Sequence, residues 1–423
     1  MPAALARVLA DRSITTPSPI QAATLADSIG GRDILGRGRT GSGKTYAFLL
    51  PLVTRLSASP ARRRPRCPRA LILAPTRELV VQIEAALAPL ARVAGLTSIT
   101  IFGGVSQQPQ VRALQSGVDV VIACPGRLED LIQQGACRLS EVEITVLDEA
   151  DHMADLGFLP AVRRLLTQTP TDGQRMLFSA TLDAAVDGLV KKFLSRPATH
   201  EADSVQNPVA EMEHHVLHIP SAQRAPVLAD LASAPGRTLL FTRTKHRAKS
   251  LARQLNAQGI PAVELHGNLN QNARTRNLKL FQTGQVETLV ATDIAARGMH
   301  VDDIELVVHA DPPVEHKAYL HRSGRTARAG KSGTVITLMT DDQVREVRTL
   351  TRAAGVRPVT TRIDTVADPI LGQLAPGPRA SRRAPERPNA APERSGAPRR
   401  NRVVAAVRQG HSAAQFSSRA RRA

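Results

Sequence analysis

The chain has 423 residues, with 56 Lys and Arg against 37 Asp and Glu, a formal net charge of +19 and a sequence pI near 11.1. That length exceeds what one hydrophobic core organises, and no apolar run is long enough to span a bilayer. The N-terminus lacks a secretory pattern, and Cys67, Cys124 and Cys137 match neither a zinc site nor a disulfide framework, so a two-domain cytoplasmic protein is expected. The charge implies a polyanion such as nucleic acid, while the absence of Trp and the presence of only two Tyr favour backbone-directed binding over base stacking.

In chain order, the short apolar Asp33-Ile34-Leu35 precedes Gly38-Arg39-Thr40-Gly41-Ser42-Gly43-Lys44-Thr45, and a helical stretch from Tyr46 to Leu56 follows. This is G-x-x-x-x-G-K-[ST] in a strand, loop, helix context. Its glycines let backbone N–H groups of Thr40, Gly41, Ser42 and Gly43 curl round phosphate oxygens. Lys44 reaches the β and γ groups, and the Thr45 hydroxyl can ligate Mg²⁺. The basic segment Ser57 to Arg69, with four Arg between Ala61 and Cys67, reads as an exposed loop.

Runs at Arg69 to Ala74, Val118 to Ala123, Glu143 to Leu147 and Arg175 to Phe178 read as buried parallel strands. Each passes directly into a polar or glycine-containing segment, where an open α/β sheet binds its ligands. After Leu147 comes Asp148-Glu149. The first can hold Mg²⁺ through its water shell, and the second can orient and deprotonate an attacking water.

Periodicity fades between about Arg196 and Glu213, where Pro197 and Pro208 appear. A linker is therefore expected over 201–213, between a first domain over 1–200 and a second over 214–367. The second domain predicts strands at Thr238 to Thr242, Ala262 to Leu265, Glu287 to Ala291, Glu305 to His309 and Gly333 to Met339. From Gly372 to the end twelve Arg face only Glu386 and Glu393. Residues 368–423 are thus expected to be disordered, apart from a short helix near Val403 to Val407, and to bind RNA through charge alone.

Asp148-Glu149-Ala150-Asp151 spells the name of the DEAD-box family, and that family's other motifs follow in order from about Pro17 to Met339. The chain resembles a superfamily 2 ATP-dependent RNA helicase, of the bacterial RhlE-like kind with compact domains and a basic tail. The resemblance implies an α/β fold of two tandem RecA-like domains with parallel sheets flanked by helices, the use of ATP and Mg²⁺, and single-stranded or short duplex RNA as partner. Pro17-Ser18-Pro19-Ile20-Gln21 resembles the Q motif, implying that Gln21 reads adenine. Ser179-Ala180-Thr181 resembles the motif linking hydrolysis to strand separation, with Asp151 in contact with it.

Ala291 to Gly298 and His321 to Arg328 resemble motifs V and VI. They imply nucleotide contact from Asp293 and arginine fingers at Arg325 and Arg328, which would stabilise charge on the transferred γ-phosphoryl group. RNA contacts are implied for Pro75, Thr76, Arg77, Gly103, Gly104, Pro125, Gly126 and Arg127, and from the second domain for Arg243, Gln271, Arg274 and Thr292. Cys124 replaces the usual Thr, His300 stands where an Asp commonly meets the ribose, Ala327 replaces a common Gly, and no aromatic precedes the Q motif.

ATP and RNA would close a cleft between the domains, expel one strand of a short duplex locally and reopen after hydrolysis. By analogy, a monomer acting in ribosome assembly, RNA decay or cold adaptation is expected. An RNA-annealing chaperone with a vestigial nucleotide site and a DNA helicase of the same superfamily are the alternative readings.

Overall fold

The computed structural model describes residues 2–38, 41–201, 212–296, 301, 303–327 and 332–379. In the first half the strands are β1 (Ile34–Arg37), β2 (Ala70–Leu73), β3 (Ser98–Ile101), β4 (Val120–Ala123), β5 (Ile144–Leu147), β6 (Gln174–Ser179) and β7 (Ala198–Glu201). In the second they are β8 (Met212–His218), β9 (Arg237–Phe241), β10 (Ala262–Leu265), β11 (Thr288–Ala291), β12 (Ile304–His309), β13 (Gly333–Met339) and β14 (Val359–Arg362). The sheet orders are β3-β4-β2-β5-β6-β1-β7 and β10-β11-β9-β12-β13-β8-β14, so the second sheet repeats the topology of the first. All described strand pairings are parallel.

Both faces of each sheet are covered, which explains why the central strands read as unbroken apolar runs. Ala70 and Ile72 of β2 pack against Phe48, Leu49, Val80 and Ile83, on the helices Lys44–Ala58 and Arg77–Val93. Leu71 and Leu73 point the other way, onto Leu128 and Leu131 of the helix Pro125–Gln133 and Val162 and Leu165 of the helix Leu159–Thr167. The second lobe alternates likewise: Leu240, Val290 and Val308 join one core, and Leu239, Leu289 and Val307 the other. Burying one such side chain contributes roughly 1.5–3 kcal/mol, so the registers are strongly fixed and the polar segments are left to the strand ends.

Two boundaries differ from the sequence expectation. Glu201 pairs within β7, and Met212 and Glu213 within β8, so these residues belong to sheets rather than to the linker; 202–211 lie outside the described residues. The second lobe also continues past 367. The helix Ile370–Leu374 buries Leu371 and Leu374 in its core, and Arg379 grips Asp230 through two hydrogen bonds of 3.1 and 2.9 Å. The helix expected near Val403 to Val407 falls outside the described residues.

The basic segment is exposed over 60–66, as expected, and it is also pinned. The N–H of Arg66 donates to the Leu114 carbonyl at 2.7 Å, and that of Arg138 to the Arg66 carbonyl at 2.8 Å. Arg63 and Arg64 pair with Asp119 and Glu141, each at 3.2 Å.

Candidate nucleotide and nucleic-acid site

Strand β1 delivers the glycine loop. Gly43 takes φ +93° as the residue before the helix Lys44–Ala58, and a Cβ there would collide with Ser18 Oγ and Gln21 Nε2. Gln21 is held at both ends of its amide: Nε2 donates to the Gly43 carbonyl at 2.9 Å, and Oε1 accepts from the Ser18 N–H at 3.1 Å. The adenine-reading residue implied by the resemblance therefore also clasps the phosphate loop. Lys44 is buried and its Nζ donates to the Gly38 carbonyl, near the Ser42 hydroxyl. Gly41 takes φ +90°, Thr45 is half-buried on the first turn, and Thr40 lies outside the described residues.

Asp148 and Glu149 are both buried at the end of β5. Glu149 adopts the left-handed conformation, φ 52° and ψ 54°, a strained geometry for a residue with a side chain and one that clusters at functional sites. It begins the helix Ala150–Asp155, and its N–H donates to Asp148 Oδ1 at 3.0 Å. Burial pushes the Asp148 carboxyl up to about 7, against the pull of Lys44. Burial acts in the same sense on Glu149, but the His152 imidazole at 3.1 Å, with Arg325 and Lys44, overrides it and holds that carboxyl at about 2.

Among the described residues no cluster of three or more His, Cys, Asp or Glu is arranged to hold a metal. One buried carboxylate and one threonine hydroxyl fit a cation that arrives with a phosphate ligand, because Mg²⁺ keeps several waters and takes few protein ligands.

Asp151 links this acidic turn to β6. Its Oδ2 accepts from the Thr181 N–H at 2.9 Å and from the Thr181 hydroxyl at 3.0 Å, and its own N–H donates to Ser179 Oγ at 3.2 Å. The coupling group read from the sequence is thus a connected hydrogen-bond network.

Among the described residues, three side-chain contacts join the lobes. Arg77 Nη1 donates to Gln271 Oε1 at 2.9 Å, Arg274 Nε and Nη2 both lie 2.8 Å from Glu78 Oε1, and Lys317 Nζ donates to Asp183 Oδ2 at 2.8 Å. The Arg77 guanidinium fills the space beside Gly104, where φ is +78°, and both Arg77 and Arg127 approach Gly103. Thr76 caps the helix Arg77–Val93 by accepting from the Leu79 N–H, Pro75 is buried behind it, and Pro125 opens the helix Pro125–Gln133 with Gly126 exposed. Of the residues expected to meet RNA in the first lobe, Arg77 thus meets Gln271, its neighbour Glu78 meets Arg274, and Gly103, Gly104 and Arg127 lie beside Arg77. Arg243, bound to Glu346 and the Pro312 carbonyl, and Thr292 lie at other strand ends of the second lobe.

Both oxygens of Asp293 grip the buried Arg322, which also donates to the Asp311 carbonyl at 2.7 Å, so the residue expected to touch nucleotide also holds motif VI in place. Arg325 is buried and close enough to act on Glu149, while Arg328 and His300 lie outside the described residues. Cys124 precedes the helix Pro125–Gln133 without capping it, and burial raises its thiol to about 12, leaving an inert neutral group where a hydroxyl could have met phosphate.

His152, Asp183 and Lys317 were not singled out from sequence, and Glu78 and Arg322 entered only as members of their motifs, with no partner assigned. His152 alone carried a local signal, three residues after Glu149 on a helix.

Fold and site together define a two-lobed P-loop protein whose candidate nucleotide groups gather at the ends of β1 and β5 and whose candidate nucleic-acid groups meet across the lobes. The DEAD/DEAH box helicase domain matches residues 18–189, and the helicase conserved C-terminal domain matches residues 223–330. ATP-dependent RNA helicase RhlB of Pseudomonas syringae is 39% identical over 77% of this chain and 84% of its own length. The chloroplastic DEAD-box ATP-dependent RNA helicase 3A of Zea mays is 40% identical over 84% of this chain. The chain spans about half of the two maize relatives, 49% and 48%. Among solved structures, S. cerevisiae Dbp5 bound to RNA and ADP BeF3 matches with a TM-score of 0.77 at 27% identity, covering 89% of this chain and 98% of that one. The chain belongs to the DEAD-box helicase family. No helix among its described residues is long and apolar enough to cross a membrane.

Proposed function

We propose that the chain is an RNA-stimulated ATPase that separates short RNA duplexes or remodels RNA–protein complexes locally, without reading sequence and in the cytoplasm. The reading rests chiefly on the contacts that bring the expected RNA-facing segments of the two lobes together, Arg77 with Gln271 at 2.9 Å and Arg274 with Glu78 at 2.8 Å, and the buried Arg325 of the second lobe also acts on Glu149 of the first. RhlB and the structure of Dbp5 with RNA and ADP BeF3 support ATP and RNA as the ligands.

Lys44 and the loop N–H groups hold the β- and γ-phosphates, and Gln21 selects adenine. Thr45 and, through water, Asp148 would hold the Mg²⁺ that arrives with the nucleotide, and the ion would supply charge neutralisation between the phosphates. Glu149 takes the proton of the attacking water as its oxygen bonds to phosphorus and the ADP oxygen leaves. Arg325 and Arg328 offset the charge spreading over the transferred group. Because these guanidinium groups come from the other lobe, hydrolysis requires closure. RNA bridging Arg77, Gly103, Gly104 and Arg127 to Gln271 and Arg274 stabilises closure, which couples the two ligands. Phosphate release reopens the cleft.

Glu149→Gln should lower RNA-stimulated ATP hydrolysis by about 10²-fold or more. An undiminished rate would remove the water-activating role. RNA should stimulate the wild-type enzyme and DNA should not. Equal stimulation would move the reading to a DNA helicase, and strand annealing without any ATPase to a chaperone.

A further inference from the structure

The third contact between the lobes lies outside the residues assigned to nucleotide or RNA. Asp183 uses its carboxylate twice. Oδ1 caps the helix Ala184–Phe193, accepting from the N–H groups of Ala185 at 3.1 Å and Val186 at 3.0 Å, while Oδ2 accepts from Lys317 at 2.8 Å. The cap fixes the carboxylate before Lys317 reaches it, so less ordering entropy is lost when the lobes meet. Lys317 lies near the start of the helix His316–Ser323, which carries the buried Arg322 and leads into Arg325. It also feels Asp155 and Asp151, so its charge enters an acidic face built by the Asp-Glu-Ala-Asp helix and the segment after Thr181. The hydrogen bond between them raises the Lys317 ammonium and lowers the Asp183 carboxyl, each favouring its charged form.

These contacts make a continuous path. Glu149 opens the helix that carries Asp151, Asp151 binds Thr181, Asp183 follows two residues later and binds Lys317, and the Lys317 helix leads into Arg325. We propose that the Asp183–Lys317 pair is an electrostatic latch between the lobes, which registers the segment after Ser179-Ala180-Thr181 against the arginine-bearing helix and so positions Arg325 over the nucleotide. Both are positioning residues, since neither touches the reacting atoms. The consequence for hydrolysis rests on the proposed ATPase cycle; the latch itself is a statement about lobe closure.

The side chains keep 34% and 26% exposure, so the pair should have a modest, salt-sensitive effect. The test uses the full chain with one fluorophore on each lobe, and compares wild type, Lys317→Met, Asp183→Asn, the double variant and Lys317→Arg. Asparagine keeps the capping oxygen and removes the charge, so the helix start survives. Closure is read by inter-lobe energy transfer with single-stranded RNA and ADP-BeF3, and again without ligands. Each single variant should shift the closure equilibrium about two- to fivefold towards open, and the double variant no further than either single. Lys317→Arg should retain closure, and raising salt should shrink the difference. The RNA concentration for half-maximal ATPase should rise by the same factor, with the rate at saturating RNA changed less than about twofold.

Additive single effects, or singles that close like wild type, would overturn the latch. Absence of RNA-stimulated ATPase in the wild type would instead sink the proposed function, and the ligand-free energy transfer would still read the pair.

Discussion

The contact between Glu78 and Arg274 offers the sharpest test of how closure is stabilised. Both guanidinium donors reach the same carboxylate oxygen at 2.8 Å, and the side chains are only 9% and 11% exposed. When the lobes part, both ions regain water, so truncating one partner changes little in the open form. In the closed form it strands the other charge in a dry cleft, for which one-sided loss of a buried pair costs about 3–5 kcal/mol. The adjoining Arg77–Gln271 hydrogen bond survives, and water can enter at the cleft rim, so the lower end, about 3 kcal/mol, applies. At about 1.4 kcal/mol per decade that is roughly a hundredfold loss of closure.

Glu78→Ala should therefore raise the RNA concentration for half-maximal ATPase by about 10²-fold, far above the effect of Lys317→Met, because the two pairs differ in burial. The assay is an RNA titration of steady-state ATP hydrolysis alongside inter-lobe energy transfer. A competing account predicts the opposite sign. If Glu78 merely masks Arg274 from phosphate, Glu78→Ala would tighten RNA binding, and that result would refute the closure argument.

Other outcomes follow from the same geometry. Arg325→Ala should reduce the RNA-saturated ATPase rate about 10³-fold or more while changing RNA affinity much less, since the side chain acts on charge that develops only in the transition state. Asp293→Asn should loosen the buried Arg322. At roughly 3 kcal/mol, and a shift of about 2–4 °C per kcal/mol in a domain of this size, it should lower the melting temperature of the second lobe by about 10 °C, with ATP affinity of the isolated site little changed. His214, which burial lowers to about 4, and the fully buried His309, lowered well below the ordinary histidine value, stay neutral in the fold. The unfolded chain takes up those protons near pH 6.5, so the stabilisation is complete above that value and lost as pH falls towards 4. Melting temperature should drop between pH 7 and pH 5, and His214→Phe should flatten part of that drop.

The sequence carried the central strands and the phosphate loop because their physics is local. A strand buried on both faces needs an apolar run, and a loop that wraps phosphate needs glycines and a lysine at fixed offsets. The peripheral strands were not visible. Ala-Thr-His-Glu in β7 and Val-Thr-Thr-Arg in β14 are edge strands with little apolar content, and they acquire their structure from the neighbours β1 and β8. Met-Glu-His-His-Val-Leu-His in β8 reads as polar, yet His214 hydrogen-bonds Tyr319 Oη at 3.0 Å and stacks on its ring at 5.7 Å. A tertiary partner more than a hundred residues away made that strand acceptable. The cross-lobe pairs escaped for the same reason: Glu78 with Arg274 and Asp183 with Lys317 are ordinary surface charges until two separately folded sheets face one another.

The repeated topology also bears on where the proposed hydrolysis would take place. Lys44 opens the helix after β1, and Asp148 follows β5; in the second sheet the corresponding positions are Arg224, opening the helix Arg224–Ala232 after β8, and Asp311 beyond β12. There Arg224 donates to Asp311 Oδ1 at 3.2 Å, to the Ala310 carbonyl at 2.7 Å and to Gln343 Oε1 at 2.7 Å. The turn before it, Ile219-Pro220-Ser221, has no glycine to curl round a phosphate. The second lobe thus repeats the sheet order of the first, with Arg224 tied to protein partners at the start of the helix that follows β8. In the proposed cycle it would contribute to hydrolysis by projecting side chains towards the first lobe, as the buried Arg325 acts on Glu149, so the reaction would depend on whatever brings the lobes together.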